Sequence, residues 1–359
     1  MSSVPKAVLY YSSESIWSSA VHLSLEEKGY GADEVDLRVV DLGEFSLTRL
    51  HDSVYSTNCN SLDKGENFAP SFLRLSNKGL EVTTSLAMVP TLVVPLQKTL
   101  SEDVESRYRA ITESKAIIEF LDKSRSPWSQ THTTSSAPAP SLTPATIAFT
   151  ETSAELIELV HTDEVNPNNL EYMNARDTDS LKNLAREMLP VLHTRRAVLS
   201  KYISDADSGK IQISEKTTAL WKEKKAATEV LLGLYKNADV SESALNPEEK
   251  SKRAEYFEMA RCARASLGRA LLRLQKDIIG PFALGDQLSI ADMHLSAWLA
   301  SIVKLAGGAA TDNGSAMVGR LQEYIGTEFI LGKQGRLSQY WEAMKERPSW
   351  KKVYAEGLH

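Results

Sequence analysis

Four short clusters stand out along this chain, and three of them have residue types suited to chemistry. The first is Ser15-Ile16-Trp17-Ser18, between a strand-like Ala7–Tyr11 run and a helical pattern. Cysteines at both ends of such a tetrad would form a redox pair, but two hydroxyls cannot cycle through a disulfide. A serine hydroxyl at a helix N-terminus can instead donate a hydrogen bond to a thiolate, and the helix dipole adds to the attraction. A free thiol titrates near ~8.5, and each unit of lowering takes ~1.4 kcal/mol of preferential thiolate stabilisation. One charge-assisted hydrogen bond plus the dipole supplies energy of that order. The same Ser15 would also cap the helix for stability alone.

The second cluster, Val89-Pro90-Thr91, opens a strand. A proline there is either an ordinary strand entry or a turn with a cis bond. In the cis case Val89 turns its N–H and C=O outward, where a peptide ligand can pair as an added strand does. The third, Glu113-Ser114, opens a helix. Its free N–H groups suit a carboxylate and its side-chain carboxylate suits an ammonium, although both residues are also good first-turn residues in their own right. The fourth, Leu288-Ser289-Ile290-Ala291-Asp292-Met293, has the Ser-x-x-Asp spacing of a capping box. It is a folding signal for a buried helix rather than a catalytic pair.

These clusters need elements to position them. Helical spacing of Trp17, Ala20, Val21 and Leu25 predicts a helix from Ser15, stopped by Gly29. Val35, Leu37 and Val39 alternate with Asp36 and Arg38, the period of a half-buried strand. Strand, helix, strand makes a βαβ unit. Strands at Thr91–Val94 and Tyr108–Ile111 follow, then a helix over Glu113–Lys123 expected to bury Ala116, Ile117, Phe120 and Leu121. That order is thioredoxin-like. The Ser, Thr, Pro and Ala residues between 124 and 144 are too poor in large apolar groups to pack and suggest a linker. Beyond it the patterns are helical, with an apolar stripe over Glu248–Ile279 formed by Tyr256, Met259, Ala260, Ala263, Leu267, Ala270, Leu271 and Leu274.

Composition narrows the classes. A length of 359 residues favours two domains, and 42% hydrophobic with 25% charged residues is ordinary for a globular chain. A net charge of −6, with lysines interleaved among glutamates, gives no footprint for nucleic acid. Cys59 and Cys262 alone cannot build a disulfide framework, which fits a reducing compartment. A strand beginning at Ala7 leaves no room for a signal peptide, and no run approaches the ~20 apolar residues of a membrane helix. A cytoplasmic protein is expected.

Taken in order, Leu9-Tyr10-Tyr11, Ser15-x-x-Ser18, Leu25-Glu26-Glu27-Lys28-Gly29, Pro70 to Gly79, Val89-Pro90-Thr91-Leu92 and Thr112 to Ile117 resemble the cytosolic glutathione transferase superfamily, serine type. Gly285–Leu295 extends the resemblance near the C-terminus, and the segment from His161 to Leu170 with Ala175-Arg176-Asp177 resembles the ganglioside-induced differentiation-associated branch and its fungal relatives. The resemblance implies an α/β thioredoxin-like N-terminal domain over 1–123, a linker over 124–147 and an all-α C-terminal domain over 148–359, with a helical insertion at about 161–250. It implies glutathione as co-substrate and no metal. Ser15 would meet the sulfur, with Tyr11 or Ser18 as the fallback. Val89 and Pro90 would serve the cysteinyl backbone, Glu113 and Ser114 the γ-glutamyl group, and Lys78 or Arg74 the glycine carboxylate. An apolar electrophile would lie near Tyr11 and Trp17.

The pattern also departs from the family. Leu80–Met88 stretches the approach to Val89, the 97–106 loop is long and acidic, and the helical part is long by several helices. The expected activity is transfer of glutathione to the electrophile. Glutathione-dependent isomerisation at the same site, and a non-catalytic binding or scaffold role, are the alternatives. The insertion falls where superfamily dimers usually pair, so a homodimer and a monomer are both open. Branch members with membrane anchors carry an apolar tail, whereas this chain ends in Trp350-Lys351-Lys352-Val353-Tyr354 and five further residues, which implies no anchor.

Overall fold

The computed structural model describes residues 6–40, 68, 89–95, 108–125 and 139–359. These fall into two compact units, one of 1–14, 37–112 and 175–257, the other of 15–36, 113–174 and 258–359.

The first unit is built on a mixed four-stranded sheet of order β2-β1-β3-β4, from β1 (Ala7–Tyr11), β2 (Val35–Val39), β3 (Thr91–Pro95) and β4 (Tyr108–Ile111). The central strand β3 runs antiparallel to both neighbours, with Leu9 opposite Leu92 and Val93 opposite Ala110. Its run Thr91-Leu92-Val93-Val94 is wholly buried, as expected of a strand covered on two faces. The edge strand β2 departs from the alternation in its sequence. Val35 is buried but Leu37 and Val39 are exposed, so only the start of β2 is covered on that face.

The same unit carries a helical hairpin, α5 (Thr178–Asp207) and α6 (Glu215–Lys236), packed along its length. Asp177 and Ser180 cap α5 reciprocally, and Ser214 caps α6. Leu199 and Trp221 form its buried centre with Phe68, ringed by Tyr202, Ile203 and Ile213.

The second unit is helical: α1 (Ile16–Glu27), α2 (Ser114–Ser124), α3 (Ile147–His161), α4 (Pro167–Tyr172), the C-terminal part of α7 (Pro247–Asp277), α8 (Ile290–Leu305), α9 (Gly314–Ile325), α10 (Arg336–Lys345) and α11 (Pro348–Val353). Helix α1 is buried around most of its circumference and packs against α2, α8 and α11. Gly29, at φ 65°, ends it in a Schellman turn, its N–H donating to Glu26 O and that of Tyr30 to Leu25 O. Helix α8 is buried on every side from Ile290 to Ala300. It begins with the expected box: the Ser289 N–H and hydroxyl both donate to Asp292 Oδ2, at 2.7 Å each.

Three expectations about faces need correction. Helix α2 buries Ser114, Ile117, Ile118 and Leu121, a true i, i+3, i+4, i+7 stripe, while Ala116 is exposed and Phe120 half-buried. Met259 lies outside the α7 stripe and is 55% exposed, although the other residues of that stripe are buried. Residues 139–144, placed in the linker, are partly built into the core. Leu142 is buried, its N–H donates to Asp122 Oδ1 at 2.9 Å, and its carbonyl accepts from Ile290 N–H at 2.9 Å. Residues 126–138 of that linker lie outside the described residues.

Candidate functional site

Ser15 is the N-cap of α1, with extended backbone (φ −85°, ψ 119°) and a hydroxyl oxygen accepting from Ser18 N–H at 3.3 Å. Its carbonyl takes Ser19 N–H at 3.0 Å. The cap therefore meets the third and fourth N–H groups of the helix. Those of Ile16 and Trp17 lie beyond the reach of any carbonyl in their own helix. No acidic residue sits in this first turn, and Glu14 directly precedes the cap. Ser18 is buried beneath it.

Helix α2 starts at Glu113, whose backbone is extended (φ −94°, ψ 126°) and whose side chain makes no cap bond. Ser114, in the first turn, is buried. Lys115 bridges to Glu158 in the last turn of α3, at 2.9 Å. In the same turn of α3, His161 stacks its ring on Trp17, centroids 3.6 Å apart and planes inclined by 12°. The first turns of α1 and α2 thus both meet the last turn of α3. Trp17, expected to border an electrophile, is 7% exposed and gives a ring face to this stack.

Sequence reasoning gave no role to His161 or to its partner. His161 Nε2 lies 3.0 Å from Nδ1 of His294, a fully buried residue of α8. Burial, with Lys115 nearby, pushes His161 down to about 3; burial and the neighbouring His161 push His294 well below the ordinary value. The two histidines are far apart in sequence, and each alone resembles an ordinary core or surface histidine.

A second unexpected group closes the other end of α1. Lys28, fully buried, donates to Asp122 Oδ1 and to Pro140 O, both at 2.8 Å. Asp122 also accepts from Leu142 N–H, Thr143 N–H and the Thr143 hydroxyl. The ion pair is structural, because every lone pair it presents is matched within the fold.

In the first unit, the Val89–Pro90 bond is cis and Val89 packs against Val40 and Tyr10. The Tyr11 carbonyl accepts from Val40 N–H at 2.7 Å, and its side chain is half-buried. Arg74 and Lys78, assigned to the glycine carboxylate, lie outside the described residues, as does Cys59. Among the described residues no group of three or more His, Cys, Asp or Glu could hold a metal ion. No helix there is long and apolar enough to cross a membrane.

No family model and no curated protein matches the chain. Solved structures that resemble it include the beta-etherase LigF from Sphingobium sp. strain SYK-6, at 14% identity over 98% of this chain and 100% of that one, with a TM-score of 0.47. Another is glutathione transferase Xi 1 from Trametes versicolor, at 14% identity over 98% and 83%, TM-score 0.44. A third is a maleylacetoacetate isomerase from Anaeromyxobacter dehalogenans with bound dicarboxyethyl glutathione, at 15% over 97% and 90%, TM-score 0.41. At such identities and scores the likenesses carry no function across, and the fold stands on the strand order and helices above.

Proposed function

We propose that this protein binds glutathione in its second unit and activates the thiolate at Ser15 for addition to an apolar electrophile. The observation that carries the reading is the meeting of two helix N-termini at one turn of α3. The start of α1 offers a hydroxyl and two N–H groups with no acidic residue in the first turn, although Glu14 directly precedes the cap. The start of α2 offers N–H groups with no side-chain cap, next to the Glu113 carboxylate. A thiolate suits the first; an α-amino-acid end, with its carboxylate and ammonium, suits the second. Glutathione carries both groups on one short peptide. The roles of Val89, Pro90, Lys78 and Arg74 rest on the sequence resemblance alone. A thiol co-substrate of this kind fits a reducing compartment such as the cytoplasm.

Titration of bound glutathione by its thiolate absorbance tests the reading. The bound thiol is expected to titrate at least about one unit below a free thiol, worth ~1.4 kcal/mol of thiolate stabilisation. Ser15→Ala should return it close to the free value. A bound thiol that titrates like a free one refutes activation, and an unchanged titration in Ser15→Ala moves the role to Tyr11 or Ser18.

A further inference from the structure

Trp17 is the second residue of α1, and the first turn it occupies is held from within the helix only by bonds to Ser15. Helix termini held in this way fray unless tertiary packing pins them. Among the contacts that pin this turn is a ring. The imidazole of His161 lies flat on the indole of Trp17, and His161 is itself fixed at its edge by the 3.0 Å bond to His294. His294 meets His161 edge to face at 4.9 Å and tilts against Trp17 at 6.0 Å, so the three rings form one closed cluster joining α1, α3 and α8.

The state of His294 argues for a purpose beyond filling space. Its Nε2 is buried and has no hydrogen-bond partner among the described residues. An apolar side chain at that position would avoid the cost of burying an unpaired nitrogen. The ring accepts that cost at one nitrogen while the other braces His161.

We propose that the Trp17–His161–His294 cluster is the positioning device of the thiol site. His161 and His294 hold the indole, and through it the first turn of α1, so that the Ser15 hydroxyl and the Ile16 and Trp17 N–H groups face the sulfur in one geometry. The assignment rests on the reading of Ser15 as thiol partner, and both histidines are positioning residues that act through Trp17. Besides each other, the charged groups around the histidine pair are Lys115 of α2 and Glu158 of α3. Asp292, on α8, is turned instead toward Ala283 N–H and Ser289. The N–H···N bond tolerates one added proton but not two, since a doubly protonated pair has no acceptor left.

Two variants of the full chain test this. His161→Ala removes both the stacked face and the brace; His161→Phe keeps a face and loses the brace. Amide hydrogen exchange at Ser18 and Ser19 reads the first turn of α1 without any ligand, and the bound-thiol titration reads the site. In His161→Ala, protection of those two amides should fall about tenfold while that of Leu295–Leu299 is kept. The bound thiol should titrate about one unit higher, with glutathione Kd changed less than about threefold because its γ-glutamyl end stays on α2. His161→Phe should move both readings the same way by less.

Unchanged protection and titration in folded His161→Ala overturn the proposal. If that variant does not fold, His161→Phe decides: unchanged readings there refute the brace. A wild-type bound thiol that titrates like a free one, alongside an exchange response to His161→Ala, refutes the reading of Ser15 and leaves the cluster as the pin of α1.

Discussion

Ser15 caps α1, and the proposed contact with a thiol would use a different atom. Its oxygen accepts from Ser18 N–H as a cap, while activation of a thiol would use its proton. Substitutions can separate them. Ser15→Ala should cost ~1 kcal/mol of stability through the lost cap, together with the thiol shift. Aspartate caps a helix as well as serine does, so Ser15→Asp should keep stability within about 0.5 kcal/mol of wild type. Yet its carboxylate faces a thiolate with like charge, so the bound thiol should titrate above the free value, or glutathione should not bind. Urea unfolding beside the thiol titration checks both, and an Asp variant with a depressed thiol would sink the assignment. The Ser15 cap was legible in the sequence because a short hydroxyl stands where a strand gives way to a helix. His161 and His294 were not. Their meaning lies in a 3.0 Å contact across 133 positions, and no local pattern encodes such a contact.

At the level of elements, α1 is held at both ends, and its C-terminal end depends on Lys28 and Asp122. Truncating one partner leaves a buried charge without compensation, so Asp122→Ala should cost roughly 3–5 kcal/mol. Asp122→Asn, which keeps an acceptor and the shape, should cost less. Burial alone would raise the Asp122 carboxyl, but bonds from Leu142 N–H, Lys28 and Thr143 outweigh it and hold the group below its ordinary value. A depressed folded-state value means this stabilisation is whole above the unfolded-state value of about 3.8 and is lost as pH falls below it. Denaturant midpoints for wild type and Asp122→Ala should therefore differ at pH 7 and converge below that range; a constant difference would contradict the ion pair. Most elements were legible from period and caps, including β3, β4, the stop at Gly29 and the Ser289–Asp292 box. Which face each buried was less so. In α2, Ala116 and Phe120 fit a helical period as well as Ile118 does, and only the neighbouring helices choose between them. The 139–144 segment looked like a tether because its composition is poor in large apolar groups. Its anchorage comes from backbone groups bonding to Asp122 and Lys28, and composition carries no record of those bonds.

Across the whole molecule, the histidines that the fold buries set its response to acid. Burial depresses His22 and His359 to about 4 and His161 to about 3, and holds His294 well below the ordinary value. All four lie in the second unit. Because each folded value is below the unfolded 6.5, their stabilisation is complete above pH 6.5 and drains away as the pH falls toward 3–4. Asp292 runs the other way. Burial raises it to about 6 despite bonds from Ala283 and Ser289, so it favours the folded state below 3.8 and loses that advantage as the pH rises to about 6. Four histidines against one aspartate leave a net uptake of up to about three protons on unfolding within this window, at ~1.4 kcal/mol per proton per pH unit. The unfolding free energy should thus be level above pH 6.5 and fall on the order of 3 kcal/mol per unit between pH 6 and 4. His161→Phe removes one of these protons, so it should be less stable than wild type at pH 7 and lose stability less steeply on acidification. Urea titrations at half-unit pH intervals measure both slopes. A flat wild-type profile between pH 6.5 and 4 would mean that these imidazoles are protonated in the folded state at little cost, and that the second unit is wetter around His161 and His294 than their burial implies.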